Sequence, residues 1–209
     1  MIETIAYKGW NTCYRLANDS IALIVTGEVG PRVIHFGFVD SAIETNEFYQ
    51  DEATLGQTGG DAWHIYGGHR LWHAPEVQPR TYVPDNAPIK MEDHNEFVRF
   101  IQPVETFTGI QKEIDITLAP DKAQVTLVHR LRNTNMWTVE LAPWALSVMA
   151  EGGKAIIPLP PRGSHTENLL PTNILTLWAY TDMQDPRWTW GTKYVRLRQE
   201  PGNVKPQKM

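Results

Sequence analysis

Apolar residues spaced two apart, in short runs cut off by turn-formers, are the feature of this sequence that most restricts its fold. That period lines up side chains on one face of an extended strand and scatters them around a helix. Residues 11–17 read as a strand closed by Asn18-Asp19, and residues 20–26 (SIALIVT) as the next. Residues 27–31 turn the chain into a third strand over 32–39. Strands resume at Ile89 and recur over 97–103, 110–118, 123–132, 138–149, 154–159, 175–180 and 193–199. Ala119-Pro120-Asp121-Lys122 is a good turn between two of them. Beyond one turn near Asp51, no helix is expected. The pattern predicts an all-β (mainly β) antiparallel sandwich of two large sheets. A length of 209 residues suits one such domain, so 1–209 reads as a single unit with 200–209, polar and proline-containing, as a flexible tail.

Residues 40–88 break the rhythm. They are rich in Gly, Pro, His and Asp, and a segment that long without periodicity is usually functional or disordered. Its aromatic and His content argues against disorder. The densest chemistry is His64-Ile65-Tyr66-Gly67-Gly68-His69-Arg70-Leu71-Trp72-His73-Ala74-Pro75-Glu76. If 69–74 is extended, His69, Leu71 and His73 share one face and Arg70, Trp72 and Ala74 the other. The two sets then serve one pocket only if the strand is bulged or curled. Three readings compete. In a polyol site, Arg70 and the histidines donate to hydroxyls while Trp72 packs on a sugar ring. In a metal site, His64, His69, His73 and Glu76 are the donors, although Gly67-Gly68 and Pro75 oppose the helix that a closely spaced His pair needs. In the third reading the segment is a wet loop packed across a sheet.

Two further clusters stand out: Trp144 after Pro143, and Trp178, Tyr180 and Asp182, which alternate onto one face if 175–180 is a strand. An aromatic row ending in a carboxylate describes a sugar platform with a hydroxyl acceptor. Asp185 and Arg187 are placed to pair across a turn, a contact worth little at a surface. Eight tryptophans are enough to ask whether some line a site while others serve the core. A formal charge of −5 gives no footprint for a phosphate backbone, so nucleic acid is not an expected partner. No apolar run approaches the ~20 residues of a membrane span. One cysteine, Cys13, excludes an internal disulfide and, with a start that lacks a leader pattern, favours the cytoplasm.

The segment GGHRLWHAPE (67–76) resembles the signature of an uncharacterised bacterial family, domain of unknown function 4380, of the galactose-mutarotase-like superfamily. Val29-Gly30-Pro31-Arg32-Val33-Ile34, Thr108-Gly109-Ile110, residues 141–160 and Leu177-Trp178-Ala179-Tyr180-Thr181-Asp182 are similar to it in the same order. The resemblance implies a β-supersandwich of galactose mutarotase type, here C-terminally incomplete, with a carbohydrate held on a concave sheet. It adds Arg32 to the residues expected to hold substrate. The epimerases of that superfamily use a His acid and a carboxylate base. The region similar to their acid, after residues 129–135, carries Trp144 and no His, so neither catalytic residue carries over by motif.

The expected function is therefore a carbohydrate-binding domain for a mono- or oligosaccharide. Its substrate-binding residues are Arg70, Trp72, Trp144, Trp178, Tyr180, Asp182 and Arg32. The alternative is a sugar epimerase or mutarotase with His69, His73 and Glu76 as acid and base. A metal-dependent hydrolase is a distant third. No cofactor or metal is called for. An incomplete sandwich leaves an open sheet edge, so pairing with a second copy is also expected.

Overall fold

A computed structural model describes residues 2–39 and 45–209. Within them lie thirteen strands in three sheets, every strand pair antiparallel. The fold is mainly β, and no described helix is long and apolar enough to cross a membrane. The chain forms two compact units that meet in sequence between Ala150 and Glu151.

The first unit is a sandwich. One sheet joins β1 (Ile2–Tyr7), β2 (Trp10–Ala17), β3 (Ile21–Thr26), β4 (Val33–Phe38), β5 (Gly68–Ala74) and β10 (Ala142–Val148), in that order. The other joins β6 (Lys90–Asp93), β7 (Val98–Ile101), β8 (Ile110–Leu118) and β9 (Val125–Asn133). Leu16, Leu23, Val25 and Val33 of the first sheet pack against Val98, Phe100, Ile114 and Ile116 of the second. The opposite face of the first sheet is covered too. Cys13, Ile24 and Ile34 bury there against Trp10, Val29 and Tyr66. With both faces covered, β3 is buried at every position, which is why it reads as an unbroken apolar run.

Much of the irregular segment is that cover. Asn46 ties it to β4, its Oδ1 accepting from the Phe36 and Phe48 amides and its Nδ2 donating to the Ile34 carbonyl. The Asp51 carbonyl accepts from the Thr54 and Leu55 amides, forming the single turn expected near Asp51. A short 3-10 turn at Arg80–Tyr82 was not legible as a period. Residues 40–44, which the sequence places in this segment, lie outside the described residues.

Two glycines let the cover and β5 come together. Gly67 and Gly68 have φ of 107° and 70°, and a Cβ on them would stand 2.0 Å from the Tyr49 carbonyl oxygen and 2.2 Å from that of Val33. Gly68→Ala therefore meets backbone as well as an unfavourable φ. We expect urea denaturation to show a loss of at least about 2 kcal/mol. Gly59→Ala, at φ 71° with nothing within 4 Å, should cost about 1 kcal/mol. Equal losses would mean that close approach is not what selects glycine at Gly68.

The second unit holds β11 (Lys154–Pro158), β12 (Trp188–Trp190) and β13 (Tyr194–Arg198) in the order β11-β13-β12. The strand expected over 175–180 is absent. Its residues alternate, but no strand among the described residues offers them a ladder, and they run exposed into a turn at 179–180. Trp178, Tyr180 and Asp182 consequently do not form a strand-face row. The last residues return along this turn. The Thr181 hydroxyl donates to the Lys208 carbonyl at 2.6 Å, and Gln207 Oε1 accepts from the Asp182 amide and the Trp188 indole, each at 3.0 Å. Asp185 and Arg187 do pair, at two points, with side chains only 6% and 8% exposed.

Candidate functional site

Strand β5 is regular, so its two faces diverge as an extended chain requires. Its register with β10 sets Trp144 beside Trp72, Leu146 beside Arg70 and Ser147 beside His69. Arg70, Trp72 and Trp144 thus share the outer face. His69, Leu71 and His73 turn inward, toward the second sheet.

On the outer face, three aromatic rings cluster around Trp72. Trp72 lies 5.4 Å from Trp144, 6.0 Å from Trp63 and 5.1 Å from Tyr82, all edge-on. Trp63 and Tyr82 are 5.4 Å apart. The Arg70 guanidinium sits 4.3 Å from the Trp72 ring and 5.0 Å from that of Trp63. Trp72 is packed at 8% exposed, whereas Trp63, Tyr82 and Trp144 are half-buried and form the rim. Burial, with Arg32 nearby, brings the Arg70 guanidinium down to about 9. Glu76 follows the strand and is exposed, its carboxylate accepting from the Tyr82 hydroxyl.

Arg32 lies beneath this face and is fully buried. Its Nη2 donates to both Asp85 oxygens at 3.0 and 2.7 Å, and its Nη1 to the carbonyls of Ile65 and Gly67 at 2.8 and 3.2 Å. The Tyr66 ring lies under it at 4.9 Å. These contacts fix the approach to Gly67 and so set where β5 begins.

The inner face carries two polar clusters. In the first, His69 Nδ1 is 2.7 Å from Ser147 Oγ and His69 Nε2 is 2.9 Å from His129 Nε2 on β9. Burial, then the neighbouring His129, holds His69 down at about 4, and burial lowers His129 as well. In the second cluster, Glu105 Oε2 accepts from the Thr108 hydroxyl at 2.5 Å, and Lys112 Nζ caps the other oxygen. His73 Nε2 stands 3.5 Å from Glu105 Oε2, off the line of a good hydrogen bond, and neither ring nitrogen of His73 is otherwise satisfied. Burial pushes the Glu105 carboxyl up, but His73, Lys112 and Thr108 outweigh it and leave it at about 2.

Of the residues singled out from sequence, the structure brings together Arg70, Trp72 and Trp144, with Glu76 joined through Tyr82. Trp178, Tyr180 and Asp182 belong to the second unit, where Trp178 lies 4.3 Å from Lys208 Nζ. Sequence reasoning missed Trp63 and Tyr82 on the outer face, and Ser147, Glu105 and Lys112 on the inner one. Trp63 adjoins the motif, and Tyr82 shares its aperiodic segment, so aromatic content there was the available signal. Nothing local marks Glu105 or Lys112, which meet β5 only through the packing of the sheets.

Among the described residues, no group of three or more His, Cys, Asp or Glu is arranged to hold a metal ion. His64, which a metal site would need, rests against the Tyr66 ring at 5.3 Å. Cys13 is buried and its thiol pushed up to about 11 by burial, which leaves it a poor nucleophile. Among known proteins, the chain matches no family model and no solved structure.

Proposed function

We propose that the first unit is a carbohydrate-binding domain of the galactose-mutarotase-like type, with its ligand on the outer face of β5 and β10. The observation that carries this reading is the cluster of Trp63, Tyr82 and Trp144 around Trp72, with Arg70 lying against Trp63 and Trp72. Half-buried indole and phenol rings suit the apolar faces of a sugar, and a guanidinium among them offers directional donors to its oxygens. Binding suits this face better than epimerase chemistry. Of the expected acid–base residues, His69 and His73 point into the sandwich, and only Glu76 lies near the rings. The lone, buried Cys13 goes with a cytoplasmic setting. Self-association, if it accompanies binding, would use the outer strands β1, β6, β9 or β10.

Trp144 is the better probe, because Trp72 is packed too deeply for its removal to separate binding from folding. Calorimetric titration of Trp144→Ala with a sugar that binds wild type should show affinity reduced about tenfold, equivalent to ~1.4 kcal/mol. Its melting temperature should change little. Unchanged affinity in a folded Trp144→Ala protein would remove this face from the binding site.

A further inference from the structure

Three buried arginines can be compared within this one chain. Arg32 holds Asp85 at two points, and Arg187 holds Asp185 at two points. Arg70, only 5% exposed, holds no carboxylate among the described residues. Among the described residues its hydrogen bond is a long one, Nη1 to the His64 carbonyl at 3.4 Å, and its Nε has no partner. Asp85, whose charge reaches Arg70 through space, is engaged by Arg32, and Glu76, just past the end of β5, by Tyr82. A guanidinium taken out of water without a counter-anion is costly, and the two indole rings offset only part of that cost.

We propose that the carbohydrate held on this face carries an oxyanion, a carboxylate or a phosphate, and that Arg70 is the residue that receives it. The inference rests on the carbohydrate reading above and narrows it to a chemical class. Trp63 and Trp72 lie against the guanidinium, so its unused N–H groups are what remains to meet a ligand. A planar fork of N–H donors matches a carboxylate or phosphate at two points, which a lysine ammonium does not. The half-buried Trp144 and Tyr82 rings pack on Trp72, which lies against the guanidinium, and offer a surface for a pyranose ring attached to the anion. Asp85 acts on Arg70 only through space and already neutralises Arg32, so the bound anion supplies the missing charge.

The test is a set of matched titrations on the whole chain by calorimetry: glucose, glucuronate and glucose 6-phosphate, then galactose, galacturonate and galactose 6-phosphate. In at least one series the uronate or the phosphate should bind at least tenfold more tightly than the neutral sugar, and the advantage should shrink as salt is raised. Which anion gains distinguishes carboxylate from phosphate. Arg70→Lys, checked by circular dichroism for folding, should lose most of that advantage, with affinity for the anionic sugar falling much further than affinity for the neutral one. Neutral sugars binding as tightly as their anions would overturn the oxyanion proposal and leave the carbohydrate reading standing. Silence from all six compounds and from longer neutral and acidic oligosaccharides would overturn both. A folded Arg70→Lys protein that keeps the full preference would sink the assignment to Arg70. Should that variant not fold, the salt dependence of the wild-type preference decides: a preference indifferent to salt counts against a charge pair.

Discussion

Lys112→Met should destabilise the first unit by about 3–5 kcal/mol, because it strips the cation from a carboxylate that has no route to water. Lys112 and Glu105 expose 4% and 1% of their side chains. Glu105 also accepts from Thr108 and faces His73, so the cluster ties β5 and β8 together from opposite sheets. The loss should come from the abandoned charge more than from the bond. Adding Glu105→Gln to Lys112→Met should therefore recover most of it, and urea denaturation followed by tryptophan fluorescence measures both. A single-variant loss below about 1 kcal/mol would mean that the cluster is open to solvent. The same group dictates an acid limb. A carboxyl held at about 2, against an ordinary value near 4.5, stabilises the fold above the ordinary value, and that contribution drains away as pH falls from there through about 2. Lys112→Met should flatten this limb.

A second loss is expected at milder acidity. His69 is held at about 4, below its ordinary 6.5, by burial and by His129. Between those values the unfolded chain binds a proton that the folded chain refuses, so stability falls as pH drops from about 6.5 toward 4 and is unaffected above that range. At ~1.4 kcal/mol for each pH unit of separation, the change is on the order of 3 kcal/mol. Two imidazoles with Nε2 atoms 2.9 Å apart cannot both be cationic without strong repulsion, which adds to the effect of burial. In His69→Gln, stability measured between pH 7 and pH 4.5 should vary much less. A wild type equally stable at both pH values would show that the pair is not held neutral.

The strands legible in this sequence are those bounded by turn-formers, whether they alternate or, like β3, run apolar throughout. β8 and its hairpin partner β9 carried both the period and the turn, and they fold as read. The two-residue hairpin turn at Lys8-Gly9, both with positive φ, joins β1 to β2, but the apolar residues of β1 keep no regular period of two and do not announce a strand. Residues 175–180 show the converse: alternation without a partner strand makes no ladder. At the candidate site, the motif 67–76 placed Arg70 and Trp72 on one face and the histidines on the other, as the structure has them. The identity of the site-bearing face could not come from β5 alone. It follows from where the second sheet packs and where the loop brings Trp63 and Tyr82, both long-range consequences of folding. Glu105 and Lys112 were invisible for the same reason.

The most direct test of carbohydrate binding on the outer face of β5 is saturation-transfer NMR with hexoses, pentoses and their phosphates, on wild type and on Trp144→Ala. The account predicts transfer to sugar ring protons in wild type, strongly reduced in the variant. No transfer to any sugar, or transfer undiminished by loss of Trp144, would contradict it.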